Sequence, residues 1–139
     1  MAITAAICNS FKQEILGGTH ASGDTYKIAL FTSAATLSKS TTAYAATNEA
    51  SGTGYTAGGQ ALSGFNITLD SDTAILDFTS DPAWSSATIT ARGALIYNSS
   101  KSNKAVCVLD FGSDIASTNG TFTVQLPAPA AATGLIRIA

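Results

Sequence analysis

The feature that most constrains this chain is a succession of short β-prone runs after residue 24. Each run is rich in β-branched, aromatic or apolar residues, and turn-forming Gly, Asn, Ser or Asp residues separate the runs. They cover residues 25–32, 65–69, 73–78, 87–98, 104–111, 121–126 and 135–138. No helical pattern alternates with them, which argues against repeated βαβ units. The sequence therefore predicts a mainly β protein, an antiparallel β-sandwich or jelly-roll-like domain.

Two of these runs are informative in detail. Residues 121–126 alternate most clearly, which predicts that Phe122, Val124 and Leu126 face the core. Residues 135–138 are β-prone and reach the end of the chain, so that end is predicted to lie in a sheet.

The segment Asp70-Ser71-Asp72 lies between two β-prone runs. Asp and Ser side chains accept hydrogen bonds from their own backbone, so the segment predicts a hairpin turn. A metal site on the two carboxylates is the alternative. A cation needs further oxygen ligands, however, and none follows at a telling spacing. We expect a turn here and no metal.

A single helix is predicted at the start of the chain, over residues 1–18. Four apolar residues recur there at i, i+4 spacing and would line one helix face. They are Ile3, Ile7, Phe11 and Ile15. Gly17-Gly18 then supplies a C-terminal stop. This amphipathic helix either closes one end of a β core or binds a partner.

Residues 33–64 lack sustained periodicity and consist mostly of Ser, Thr, Ala and Gly. Loops of this length in compact domains are usually functional or mobile, so this long surface excursion is the first candidate for a contact surface. Its candidate partner-binding residues are Tyr44, Glu49 and Tyr55. The glycines around Tyr55 predict a flexible loop with one aromatic anchor, because no Lys-Ser or Lys-Thr pair completes a phosphate cradle. Tyr55 either extends into a partner or folds back onto its own domain.

Arg92 is an unusual charge for a β run, with Ala and Thr residues before it. It reaches solvent, pairs with a carboxylate such as Asp77 or Asp110, or contacts a partner. We favour an internal ion pair and keep Arg92 as a candidate partner-binding residue. Gly93 beside it predicts a bulge or a close backbone approach.

The chain carries few charges. Only 12% of its 139 residues are charged, against roughly a quarter in typical domains, and the net charge is −2. The seven Lys and Arg residues are scattered, so no nucleic-acid partner is expected. No apolar run approaches the ~20 residues that cross a bilayer, so no membrane partner is expected either. A surface of small uncharged side chains costs little to desolvate, which suits a single domain, residues 1–139, that binds other proteins.

Catalytic motifs are sparse. The one histidine, His20, follows the helix-ending glycines and is expected to be an exposed loop residue. No GxSxG elbow surrounds a serine, and one His with two distant Cys cannot complete a zinc set. Cys8 and Cys107 either pair or remain small buried thiols, and we favour thiols because no export signal is evident. The sequence predicts no enzymatic activity, no catalytic residue, no cofactor and no metal.

A family resemblance enters through residues 84–98, WSSATITARGALIYN. This run resembles a segment of small structural proteins that tailed bacteriophages and prophages encode. The order of the whole chain is similar as well. The matching features are the opening helix, the strand at residues 27–32, the loop at residues 47–55 with Thr-Asn-Glu and Gly-x-Gly-Tyr, and the terminal residues 135–138. The resemblance covers most of the chain, and its motifs are patterns of packing and turns without a catalytic signature.

The resemblance implies a virion protein, assembled in the cytoplasm of a host bacterium. Capsid decoration or cement proteins, which are often small β-rich domains over the joints between capsomers, are similar in size and class. The implied partners are the major capsid protein or other virion proteins, and further copies of the chain in a homo-oligomer. A tail, neck or fibre-base protein is the nearest alternative. A carbohydrate-binding β-sandwich is another, with an aromatic platform formed by Tyr44, Tyr55, Trp84 and Tyr97.

Overall fold

The computed structural model describes residues 2–139, which form one α-helix and eight β-strands. In chain order these are β1 (Ala6–Ile7), α1 (Asn9–Leu16), β2 (Tyr26–Phe31), β3 (Gln60–Ala61), β4 (Phe65–Asp70), β5 (Thr73–Phe78), β6 (Ala83–Asn98), β7 (Lys104–Thr123) and β8 (Ile136–Ile138). A short 3-10 turn, Ser99–Lys101, joins β6 to β7. The pairings between these strands are all antiparallel. The prediction of a mainly β, antiparallel fold with one N-terminal helix is confirmed.

The larger sheet has the strand order β1-β7-β6-β2-β3 and is centred on one long hairpin. β6 has 16 residues and β7 has 20, and they pair from Asn98 opposite Lys104 to Ala83 opposite Thr123. β2 pairs with the second part of β6, where both strands are almost entirely buried. Burial on both faces explains why residues 28–31 are apolar in succession instead of alternating with polar residues.

The smaller sheet has the strand order β4-β5-β8. The predicted hairpin is confirmed, because β4 and β5 pair along their whole length and Ser71 lies in the turn with a φ of 54°. The predicted last strand is also confirmed, as β8 pairs with β5. Phe78 and Ile136 from this sheet belong to the same hydrophobic cluster as Leu95 from the larger one. The two sheets therefore share a core, as the layers of a sandwich do, and neither closes into a barrel.

The helix is shorter than predicted. It begins at Asn9 and not near residue 1, and the segment before it is extended. Ile3 forms a parallel bridge with Leu37, and β1 pairs with β7 at Cys107 and Val108. These partners satisfy backbone groups that a helix would have satisfied internally, so pairing overrides the i, i+4 pattern. The described part of the chain contains no helix with the length and apolar character that a membrane span needs.

β7 joins two runs that were predicted as separate strands. Residues 104–111 and 121–126 lie on one strand as far as Thr123, and residues between them pair with the first part of β6. The joining residues are mostly polar or small and lack an apolar alternation, so periodicity could not reveal them. The predicted inward alternation is nevertheless confirmed. The buried residues are Phe122, Val124 and Leu126.

A bulge interrupts the long hairpin at Arg92. The register of β6 and β7 shifts between Ala91 and Gly93. Across this irregularity, Arg92 Nε donates a hydrogen bond to Asp110 Oδ1 at 3.1 Å. The predicted bulge and the favoured internal ion pair are both present. Asp77, the other carboxylate considered, is buried elsewhere and accepts hydrogen bonds from backbone N–H groups.

Candidate functional site

Three of the predicted partner-binding residues meet around Glu49. The Tyr44 hydroxyl donates a hydrogen bond to Glu49 Oε2, and the Tyr55 hydroxyl donates one to Oε1, both at 2.6 Å. The backbone N–H of Gly58 donates to the same Oε1 at 2.7 Å. We call Tyr44, Glu49, Tyr55 and Gly58 the Glu49 latch. Arg92, the remaining candidate partner-binding residue, lies outside the latch, in the bulge of the long hairpin.

Backbone contacts set the position of Glu49. Asn48 before it adopts the left-handed conformation, with a φ of 61°. Glu49 then forms an antiparallel bridge with Phe31, and the N–H of Ala50 donates to the carbonyl of Leu30 at 2.8 Å. The end of β2 therefore holds this part of the excursion, and Glu49 is directed toward the two tyrosines.

Tyr55 folds back onto its own domain. Its hydroxyl accepts a hydrogen bond from the N–H of Leu30 at 2.9 Å, and its ring lies 5.7 Å from that of Trp84, centroid to centroid. Burial and the hydrogen bond to Glu49 raise the pKa of Tyr55, so its hydroxyl stays protonated and acts as the donor at neutral pH. Of the two alternatives for Tyr55, the structure shows the internal one.

Tyr44 and Tyr97 form a stacked pair, with ring centroids 4.6 Å apart. Burial, followed by the hydrogen bond to Glu49, raises the pKa of Tyr44. The Tyr97 hydroxyl donates to the carbonyl of Gly58 at 2.6 Å, so both backbone groups of that glycine are bound. Tyr97 and Trp84 are buried. The aromatic residues considered for a sugar platform therefore pack inside the domain and do not form an exposed surface.

The glycine-rich loop at residues 51–59 packs first against β6, at Ala87 and Thr88, and then against β2, at Ile28, although the sequence predicted a flexible loop. Gly59 has a φ of 74°, and a Cβ added there would overlap the carbonyl oxygen of Ile28. β3 follows directly and pairs with β2. Only glycine permits both this conformation and this approach. The latch, the loop and β3 together hold the excursion against β2.

A second polar cluster, which the sequence did not predict, surrounds His20. The His20 side chain is only 2% exposed, so the expectation of an exposed loop histidine was wrong. Its Nε2 lies 2.9 Å from Glu14 Oε1, and its Nδ1 lies 3.0 Å from Asn98 Nδ2. The N–H of Ser100 donates to Asn98 Oδ1, which directs the amide nitrogen of Asn98 toward His20 and Asp24. Both ring nitrogens are therefore engaged in contacts within the domain.

The sequence contained one signal for this cluster. Gly17-Gly18 ends the helix and lets the chain reverse, so that the His20 ring packs against Phe11 with centroids 4.7 Å apart. The other half of the cluster comes from Asn98, which is 78 positions away in the sequence. A contact of that range leaves no local pattern, which explains why His20 was assigned to the surface.

Asp24 is expected to make stability depend on acidic pH. The Asn98 amide and the N–H of Ala21 donate to this carboxylate and lower its pKa from the ordinary 3.8. A carboxyl group whose pKa is lower in the folded state adds stability that is complete above the unfolded value and is lost as pH falls through the folded value. We expect the Asp24 contribution to be constant from neutral pH to about pH 4 and to disappear below it.

Urea unfolding at several pH values measures this effect. Asp24→Asn should show a shallower loss of stability below pH 3.8 than the unsubstituted protein. Asp114→Asn, which changes an exposed carboxylate in β7, serves as the control and should keep the original slope. The same acid dependence in all three proteins would contradict the role of Asp24.

The two cysteines are free and buried. Burial raises the pKa of Cys8 to about 11 and also raises the pKa of Cys107. Neither is a reactive thiolate at neutral pH, so the favoured alternative of buried thiols is the one the structure shows. Within residues 2–139, no three His, Cys, Asp or Glu side chains are grouped so that they could hold a metal ion.

Comparisons with protein-family models, with curated proteins and with solved structures find no match. The Glu49 latch fastens the excursion internally and leaves the outer face of that segment exposed. A groove of about 290 Å³ opens on this face, and Ala43, Ala45 and Thr47 are among the residues that line it. Such an arrangement leaves an exposed surface whose shape is set by internal contacts.

Proposed function

We propose that this protein is a non-enzymatic structural component of a tailed-phage particle and that it decorates the capsid by binding the major capsid protein. The observation that carries the proposal is the outer face of residues 33–64. This face is exposed over much of its length, is ordered by the Glu49 latch, and is nearly without charge.

The composition of this face supports a protein partner. Lys39 and Glu49 are the only charged residues between positions 33 and 64, and the Glu49 carboxylate is already bound in the latch. The exposed residues are mainly Ser, Thr, Ala, Gly and Asn. Such side chains have little hydration and few rotamers to lose on burial. A large, weakly polar contact can therefore form without a strong individual anchor.

The internal fastening of the excursion also favours binding. A disordered loop must be ordered when it binds, and that cost reduces affinity. Here the latch and β3 hold the segment before a partner arrives. On a shell, which repeats the same site many times, a homo-oligomer would make several such contacts at once. Avidity then exceeds the single-site affinity by ~10²–10⁴ when the geometry permits simultaneous contacts.

Two features support a role without catalysis. Both nitrogens of His20 are engaged in hydrogen bonds, and the latch tyrosines keep their protons at neutral pH.

The same outer face would serve a tail, neck or fibre-base protein, so the location on the particle is what a test must decide.

Capsid-binding measurements test the proposal. Ala45→Arg places a large cation in the groove of the excursion, whereas Ala116→Arg makes the same change on an exposed residue of β7. We expect Ala45→Arg to lower binding to purified capsids by about tenfold or more, because an unpaired charge must be desolvated there. Ala116→Arg should bind as the unsubstituted protein does, and both variants should keep its melting temperature.

Other outcomes would contradict parts of the proposal. Equal binding by both variants would exclude the outer face of residues 33–64 as the contact surface. Immunogold labelling of complete particles supplies the location. Label found only on tails or necks would exclude capsid decoration while supporting the alternative position on the particle.

A further inference from the structure

β4 is an unprotected edge strand. It pairs with β5 on one side and forms the edge of the smaller sheet on the other. Proteins usually protect such edges with Lys, Pro or a bulge, because unpaired backbone groups are a template for another chain. β4 has the sequence FNITLD, without Lys or Pro, and it pairs with β5 without a register shift. Its residues from Ile67 to Asp70 are all exposed.

The turn between β4 and β5 determines which backbone groups face outward. Asp70 and Thr73 are opposite each other and flank a two-residue turn, so they form a hydrogen-bonded pair. Hydrogen-bonded and non-hydrogen-bonded pairs alternate along an antiparallel ladder. The N–H and C=O groups of Ile67 and Leu69 therefore point away from β5, toward the open edge.

The same two residues expose apolar side chains. Ile67 is 61% exposed and Leu69 is 73% exposed. Leu69, Ala74 and Ile138 are opposite one another across the three strands, and Ile138 is 55% exposed. Leu16, which is 90% exposed, lines a cleft with Ile138 between α1 and β8. Ile67 and Leu69 therefore form an apolar strip along the open edge, which is a common mark of a protein interface, whereas Ile138 and Leu16 lie on the far side of β5.

We propose that β4 pairs with β4 of a second copy, in antiparallel orientation, around a two-fold axis at Thr68. The strand is complementary to itself in this register, as a two-fold interface requires. Ile67 lies opposite Leu69 of the partner subunit, and both residues have outward backbone groups. Asn66 lies opposite Asp70 of the partner subunit, so an amide meets a carboxylate and no like charges oppose each other.

Pairing in this register joins the two smaller sheets into one continuous sheet of six strands. The apolar side chains of both copies then lie on the same face, because directly opposite residues of an antiparallel pair share a face. A shift by one residue would place Ile67 opposite Thr68 of the partner subunit and would mismatch the outward backbone groups. The alternation of apolar and polar residues in β4 therefore excludes a shift by an odd number of residues.

The β4 dimer is the homo-oligomer that the proposed function includes. Dimerisation can be measured on the free protein, without capsids. Sedimentation velocity over a wide concentration range should show a monomer–dimer equilibrium. Leu69→Lys should weaken dimerisation by about tenfold or more, because the ammonium group would be placed against apolar side chains. Thr118→Lys makes a matched change on an exposed residue of β7 and should dimerise like the unsubstituted protein.

Cysteine cross-linking tests the register. Thr68→Cys should form an intermolecular disulfide on mild oxidation, since the axis places residue 68 opposite its own copy. Ile67→Cys and Ser113→Cys should cross-link far less. The native thiols do not compete, because Cys8 and Cys107 are buried.

Several results would overturn the inference. These are a protein that stays monomeric at all concentrations, a dimer that is insensitive to Leu69→Lys, and cross-linking at residue 67 in preference to residue 68. A monomer whose Leu69→Lys variant loses capsid binding would instead place a capsid subunit on β4. A failure to dimerise would leave the capsid-binding result for Ala45→Arg unchanged, so the two proposals can fail separately.

Discussion

Gly59→Ala is expected to lower the free energy of unfolding by more than ~4 kcal/mol or to prevent folding, against a total stability of ~5–15 kcal/mol for a domain. Two effects add at this position. The φ of 74° is unfavourable for a residue with a Cβ, at about 1–2 kcal/mol. The added methyl group would also overlap the carbonyl oxygen of Ile28, which belongs to the backbone of a buried strand and cannot move aside.

Gly18→Ala provides the matched control. Gly18 has nearly the same conformation, with a φ of 76°, but no atom lies within 4 Å of an added Cβ. Its substitution should therefore show the conformational cost alone, about 1–2 kcal/mol. Urea unfolding of both variants measures the difference, which reports the close packing of the excursion on β2. Equal losses at the two positions would mean that Gly59 does not fix the excursion.

The parts of the fold that could be predicted depend on neighbouring residues. The hairpin of β4 and β5 follows from a polar turn between two β-prone runs, and both the turn and the strands lie within residues 65–78. The burial of β2 follows from the four successive apolar residues at positions 28–31. The bulge between Ala91 and Gly93 and the ion pair of Arg92 were likewise indicated by the sequence, because an arginine and a glycine are adjacent there in one strand.

The parts that were missed depend on distant partners. Ile3 and Ile7 have helical spacing, but the edge of β7 and residue 37 supply backbone partners that the local pattern cannot indicate. β7 continues through residues with no apolar alternation because β6 offers a complete ladder opposite them. In both places, backbone hydrogen bonding to residues outside the segment overrides the intrinsic preference of the segment.

Three of the four candidate partner-binding residues come together in one cluster, and Arg92 lies apart from them. Tyr44, Glu49 and Tyr55 were selected because they are distinctive residues in a bland segment, and they do meet. They were candidates for a partner contact, with folding back onto the domain left open for Tyr55, and in the structure they face one another. A carboxylate close to two tyrosines in an aperiodic loop is the signal that could have indicated an internal cluster, since buried polar groups need partners.

Glu49→Ala is expected to lower the free energy of unfolding by about 3–5 kcal/mol, since it removes the acceptor of three hydrogen bonds and each unsatisfied donor costs about 1–3 kcal/mol. The loss of stability should appear first in the excursion, residues 33–64. Amide hydrogen exchange of Gly58 and Leu30 should accelerate while the middle of β6 stays protected, because the latch holds the excursion and not the hairpin. Glu49→Gln keeps the shape without the charge and should have an intermediate effect.

A double-mutant cycle separates the latch from a general effect of losing a charge. Tyr44→Phe removes the donor of one latch hydrogen bond, so it should cost less in the Glu49→Ala background than in the unsubstituted protein. Asp114→Ala, which removes an exposed carboxylate of β7, should leave stability within about 0.5 kcal/mol. Additive effects of Glu49→Ala and Tyr44→Phe would show that the two residues do not act together. If amide hydrogen exchange at Gly58 did not change in Glu49→Ala, the Glu49 carboxylate would not hold the loop. Another interaction would then have to order residues 33–64 before they could serve as a preformed contact surface.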